Sequence, residues 1–414
     1  MDRPSVPAPS TASTSGAPSS PGNGLTRKSL LQRGVGGVVG ASALGVLLSA
    51  CGDNGSSHGG STGGGAAATS FKPDITARFD PKLPAGSKPA LPRRFGYVAF
   101  SSDPFWVTFS NAVGRGCKEV NLELSVANAQ GDAAKYVDLL SQQLTRRVGG
   151  TFVFALAPTA LDPILADAIS SGVEVVTYSL GPSISQVAAN EVVFGKQIGE
   201  AAAKYINDRL GGKASVLLFN EDKAEALKPR YQAIRDALRA QAPKATIVKD
   251  LTPANTADDG FKQASSALAA NPEINAIIGP GLATVGAFSA LESTGKARPE
   301  MYIASIGGTQ DELNAIQKPN SAFKTSWGYP DLLVGYLSAH WTSDWLDGKV
   351  VPMGLYNPPL EVTVANVAKF QTDMKHPENV FKENRVDEYL QLWGSINYDT
   401  RDAHLAGAWH GPQA

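Results

Sequence analysis

Three short segments of this 414-residue sequence carry side chains suited to holding a small solute, and each follows an apolar run. Asp103, Phe105 and Trp106 come after the run at 95–100, Tyr178 and Ser179 after 173–177, and Asn220, Glu221 and Asp222 after 214–219. Flat aromatic faces take C–H surfaces, and a few polar groups fix orientation. The other run ends are Asn128, Ala157-Pro158, Thr252, Gly279-Pro280-Gly281 and Gly307-Gly308-Thr309. This lining is poor in charge and suits a modest neutral or amphipathic solute. Plainer readings stand beside it. Asp103 before Pro104 suits a helix N-cap with Pro at the first helical position. Phe105 and Trp106 suit the first turn of a buried helix, and Tyr178 suits a core.

Catalytic chemistry finds little support. No Gly-x-Ser-x-Gly follows an apolar run, the matches at 55–59 and 59–63 falling in a glycine-rich stretch, and there is no His-Glu-x-x-His, no phosphate loop and no Gly-x-Gly-x-x-Gly after a strand. His340, His376, His404 and His410 are scattered, and His58 stands alone in a glycine-rich stretch. Cys117 shares a helical stripe with Trp106, Phe109 and Val113, which suits a core thiol. No catalytic residue, metal site or cofactor is therefore expected. The 37 Lys+Arg against 38 Asp+Glu exclude a nucleic-acid binder that runs on bulk positive charge.

Such residues need elements to position them. Short apolar runs alternate with helical spacing from residue 94 onward. Strands are expected at 95–100, 122–127, 151–156, 173–178, 214–219, 246–251, 274–278 and 302–306. Helices are expected between them, with Ala133, Val137, Leu140 and Leu144 marking one face. The alternation means parallel sheets covered by helices. A polar stretch at 181–191 breaks the rhythm, so the fold class is α/β with two doubly wound lobes. Ligands of open α/β sheets bind outside the carboxyl ends of the strands. Residues 381–393 fit one further amphipathic helix on a lobe, or a partner-binding tail.

The first 93 residues read differently. Residues 1–25 are rich in Ser, Pro, Gly and Thr. Arg27-Lys28 precedes an uncharged stretch at 34–50, which ends Leu48-Ser49-Ala50-Cys51. A charged, an apolar and a small-residue part make an export signal. The ending resembles a bacterial lipoprotein box, which implies lipidation at Cys51; Arg27-Lys28 resembles a weakened twin-arginine signal. The expected organisation is an export signal at 1–51 and a flexible tether at 52–93. A first lobe follows at 94–190 plus about 327–358, and a second at 191–326 plus about 359–400 with the tail.

Residues 94 to about 360 resemble a periplasmic sugar-binding protein of the ribose/galactose-binding type, the solute receptor of an ABC importer. Gly96-Tyr97-Val98-Ala99-Phe100 followed by Asp103-Pro104-Phe105-Trp106 resembles the family's first strand and turn. Asn128-Ala129-Gln130-Gly131-Asp132, Val173-Glu174-Val175-Val176-Thr177 and Ile306-Gly307-Gly308-Thr309 resemble later segments in the same order. The resemblance implies the type I periplasmic-binding fold with about three crossovers, near 188–192, 325–328 and 356–362. It implies stacking by Phe105 and Trp106, a polar contact from Asp103, and a sugar-clamping guanidinium at Arg230. Arg230 also suits a solvated charge at a helix start. The family's late-strand Gln falls near Gly328, between Trp327 and Tyr329, which suit either the cleft or a core. Other polar positions are replaced: Ala157-Pro158 for Asn-Pro, Ser179-Leu180 for Asp-Arg, Pro280-Gly281 for Asn-Asp, and Gly307 for Asp. A common pentose or hexose is thereby disfavoured.

The resulting expectation is a monomeric, exported receptor, held by lipid to the outer face of the cytoplasmic membrane. Its hinge closes on a sugar-like or polyol ligand, which it delivers to an ABC permease. The ligand-binding set is Asp103, Phe105, Trp106, Tyr178, Ser179, Arg230 and Trp327. A sensor for a membrane signalling partner and a surface-anchored hydrolase are the alternatives.

Overall fold

The computed structural model describes residues 71–412, apart from Asp103, Ala155, Ala157, Ala189 and Asn255. The expected export signal, Cys51 and the expected tether as far as residue 70 lie outside the described residues. No described helix is long and apolar enough to cross a membrane.

The chain opens as five strands with three helices between the first four. These are β1 (Arg94–Ala99), α1 (Pro104–Glu119), β2 (Glu123–Asn128), α2 (Ala133–Thr145), β3 (Gly150–Phe154), α3 (Pro158–Ser170), β4 (Glu174–Tyr178) and β5 (Ser185–Ala188). The next stretch repeats the pattern. It runs α4 (Glu191–Arg209), β6 (Ser215–Phe219), α5 (Lys228–Gln241), β7 (Thr246–Leu251), α6 (Ala257–Ala270), β8 (Ile274–Pro280), α7 (Gly281–Ser293), β9 (Tyr302–Gly307), α8 (Gln310–Gln317) and β10 (Phe323–Gly328). Then come α9 (Asp331–Leu346), β11 (Gly354–Tyr356), β12 (Leu360–Thr363), α10 (Val367–Lys375), α11 (Pro377–Lys382) and β13 (Gln391–Trp393).

These strands make two sheets. The first has the order β13-β11-β5-β4-β3-β1-β2 and the second β12-β10-β9-β8-β6-β7. Pairing is parallel except at β11–β13 and β10–β12. The interior strands are buried along almost their whole length, as sheets covered on both faces require, whereas edge strands β2 and β7 are half-exposed. β5 has no apolar run to mark it: Ser185 and Gln186 are polar, only Val187 and Ala188 are apolar, and yet all four are buried.

The chain passes between the lobes after β5, between β10 and α9, and between β11 and β12. A fourth passage occurs at His376, because α10 packs on α8 and β12 whereas α11 packs on α9 and α1. The assignment of 359–400 to the second lobe is therefore corrected: β13 closes the edge of the first sheet. The single helix expected over 381–393 is also corrected. That segment is the end of α11, a short 3-10 turn at Val386–Glu388 and β13. Residues 71–93 are not a free tether. The Phe79 amide donates to the Leu392 carbonyl (3.1 Å), Gly394 donates to Ala77 (2.7 Å), and Gly86 donates to Gly348 (2.7 Å).

Candidate ligand-binding cleft

The carboxyl ends of both sheets face the space that the passages border, and two cavities open there. The first, about 650 Å³, is lined by Phe105 and Thr108 of the first lobe, by the loop 307–310, and by Phe370, Met374 and His376. The second, about 590 Å³, is lined by Tyr178, Ser179, Leu180, Asn190, Glu191 and Arg230, among others. Tyr329, just past the end of β10, lines both.

Arg230 is placed by backbone packing. Lys228-Pro229 starts α5 with Pro in the first turn, where its missing N–H costs nothing. A Cβ at Gly195 of α4 would overlap the Arg230 carbonyl, so glycine lets α4 and α5 approach closely there. Glu191 stands in the first turn of α4, whose N-cap Asn190 accepts from the Val193 amide at 3.1 Å. The Arg230 Nε then donates to Glu191 Oε2 at 2.6 Å, and Nη2 donates to the Tyr329 hydroxyl at 3.0 Å. The guanidinium carbon also lies 4.9 Å from the Phe194 ring centroid. Arg230 is thus no solvated surface charge; it is buried and held by three partners.

Asp331 begins α9 beside the Tyr178 hydroxyl, and its Oδ1 is buried without a partner among the described residues. Burial pushes its carboxyl up to about 7, against a smaller opposing effect of the Tyr178 hydrogen bond. Burial likewise raises the Tyr178 phenol well above its ordinary value. Glu312, wholly buried at the start of α8, holds the loop that faces the first cavity. It accepts from Ser326 Oγ (2.6 Å), Thr309 N (3.0 Å) and Gly308 N (3.2 Å). A Cβ at Gly307 would lie 2.6 Å from its Oε1. Glycine at that strand end therefore makes room for a carboxylate that comes from the helix.

The residues singled out in the sequence do not all meet at the cleft. Phe105 is 39% exposed and lines the first cavity; Tyr178, Ser179 and Arg230 line the second. Trp106 lines neither. It packs edge-on against Phe154 (4.7 Å between centroids), which itself stacks on Tyr178 (5.4 Å). Trp327 is corrected to a core residue: it is 4% exposed and packed with Phe194 inside the second lobe, while Tyr329, two residues on, reaches the cleft. Asp103 lies outside the described residues. The strand-end residues Asn220 and Asp222 line neither cavity. Asn220 donates to Asp250 (2.6 Å), and Arg235 bridges Asp222 and Asp250 at 2.7 Å each.

Glu191, Asp331, Phe370, Met374 and the tail residues Trp409 and His410 were missed. They sit on the passages, on α10 and on the tail, none of which follows a strand–helix beat. The low charge expected of the lining is corrected accordingly, since Glu191, Asp331, Lys375 and Arg230 all reach it. Among the described residues, no group of three or more His, Cys, Asp and Glu could hold a metal ion.

Comparison with known proteins bears on the family and the fold. The model of a family described as "Periplasmic binding protein domain" matches residues 97–350. The chain is 25% identical over 189 residues to the Escherichia coli ABC transporter periplasmic-binding protein YphF, covering 43% of this chain and 57% of that protein. The alignment thus spans little more than half of that relative's length. It is 24% identical over 269 residues to the Bacillus subtilis ribose import binding protein RbsB, covering 63% of this chain and 84% of that one. Among solved structures it resembles a Thermotoga lettingae transporter solute-binding protein in complex with 5-methylthioribose. That likeness has a TM-score of 0.58 at 21% identity and covers 68% of this chain and 90% of the other.

Proposed function

The chain belongs to the periplasmic binding protein domain family, and on that premise we propose that it is an extracytoplasmic receptor that closes on a neutral sugar-like or polyol solute and presents it to an ABC permease. It is a binding protein, not an enzyme. The observation that carries the ligand class is the Arg230–Glu191 pair at 2.6 Å in the cleft. Its two charges cancel, so the site offers donors and acceptors without demanding a charged solute. Closure would bring Phe105 and Tyr178 of the first lobe against Arg230 and the 307–310 loop of the second. Ribose and 5-methylthioribose, which two of the similar proteins are named for, belong to this solute class.

Leu48-Ser49-Ala50-Cys51 supports lipidation at Cys51 as the means of retention at the membrane. Calorimetric titration of a chain starting after Cys51 against neutral polyols, amino acids and organic acids tests the ligand class. Binding of a polyol is expected; binding only of charged solutes rejects it. Cys51→Ala should move the protein from the membrane to the soluble fraction.

A further inference from the structure

The segment after Leu405 is strapped to the first lobe by a seat made for it. Ser183 and Leu405 exchange both backbone hydrogen bonds, at 2.9 and 3.0 Å. The side chain of Gln186, fully buried in β5, ties this segment to the loop before β5: its Nε2 donates to the Gly407 carbonyl (3.1 Å) as well as to Gly181 and Ser183, and its Oε1 accepts from the Trp409 amide. A Cβ at Gly354 of β11 would overlap the Trp409 ring, so glycine leaves the space the indole fills. Gly411, at φ +91°, then packs on the Tyr356 ring. The outcome is that Trp409 and His410 line the second cavity, together with Arg230, Tyr178, Ser179 and Tyr329. These two residues lie beyond the stretch that matches the family, which ends at residue 350.

We propose that the C-terminal strap supplies Trp409 as an aromatic wall of the ligand site, taking the C–H face of a neutral polyhydroxy solute whose hydroxyls meet Arg230 and Glu191. The proposal rests on reading the cleft as a polyol site. It adds a third segment to a binding surface otherwise drawn from the two lobes. A half-buried indole fixed by its backbone presents a rigid, flat face at little entropic cost.

The test is calorimetric titration of ribose, 5-methylthioribose, xylitol and myo-inositol into the chain starting after Cys51. Trp409→Ala, Trp409→Phe and a chain ending at His404 are titrated in parallel, with ligand-free melting curves as the check on folding. For the solute that binds the parent protein, Trp409→Ala and the truncation should weaken affinity roughly 10-fold or more, and Trp409→Phe should restore most of it. Equal affinity in Trp409→Ala overturns the aromatic wall and leaves the polyol reading standing. Failure of all four solutes to bind the parent protein overturns both.

Discussion

Removing Glu191 should cost more stability than removing Arg230, although the two form one ion pair. The guanidinium side chain is 7% exposed and the carboxylate side chain 20%. Glu191→Ala strands a buried cation whose Nε has lost its 2.6 Å acceptor. Breaking a buried pair in this way costs about 3–5 kcal/mol. The Tyr329 hydroxyl at 3.0 Å and the Phe194 ring remain, so the lower end, about 3 kcal/mol, applies here. Arg230→Met leaves an acid that water reaches, in the first turn of α4 where the helix dipole favours it. Met fills much of the vacated volume, and a cost of about 1–2 kcal/mol follows. The double variant should therefore be more stable than Glu191→Ala alone. Urea unfolding, with m checked for constancy, gives the complete cycle. A double variant whose loss equals the sum of the single losses would refute the reasoning, as would Arg230→Met costing more than Glu191→Ala.

Other expectations concern buried groups. Burial pushes the Glu174 carboxyl up to about 8, against the smaller effect of its Thr342 hydrogen bond. A raised carboxyl favours folding fully below its unfolded value and loses that contribution as pH climbs towards 8, by roughly 3 kcal/mol at pH 7. Glu174→Gln should accordingly flatten the stability profile between pH 5 and 8; identical profiles would contradict this. Burial pushes the Cys117 thiol up to about 12. In a chain starting after Cys51, maleimide should label it only at the rate of unfolding, and fast labelling of the native protein would show the thiol to be accessible. Gly195→Ala should force α4 from α5 at a cost of about 1–3 kcal/mol and weaken solute binding with it, read by urea unfolding and titration. An unchanged midpoint would mean that the helices part freely.

The βα rhythm was legible because parallel strands buried on both faces show as apolar runs, as in Val216, Leu217 and Leu218. Strand-end logic located Phe105, Tyr178 and Ser179 for the same reason. It failed at Trp327, which still lies inside β10, where a sheet covered on both faces buries either orientation; the strand ends at Gly328 and Tyr329 is the residue beyond it. It also failed at Glu191 and Asp331, which are placed by helices that begin at the passages between lobes. Their pairing with Arg230 and Tyr178 joins positions distant in sequence, which no local spacing records. The strap was invisible because Gln186, Gly354 and Trp409 acquire meaning only together. Residues 71–93 looked like linker because they are rich in Pro and Lys, yet backbone hydrogen bonds fix them without any apolar pattern.

The discontinuous make-up of the first sheet bears on how the protein is made. The second sheet draws five of its six strands from one uninterrupted stretch, β6 to β10. The first sheet receives β11 and β13 only after that stretch has been synthesised. A nascent chain in between presents β5 as a bare strand edge, open to pairing with any other chain. The late arrival of β11, β13 and the strap is what closes that edge. Chains cut short before residue 354 should therefore be prone to aggregation even though the second lobe's consecutive strands are complete.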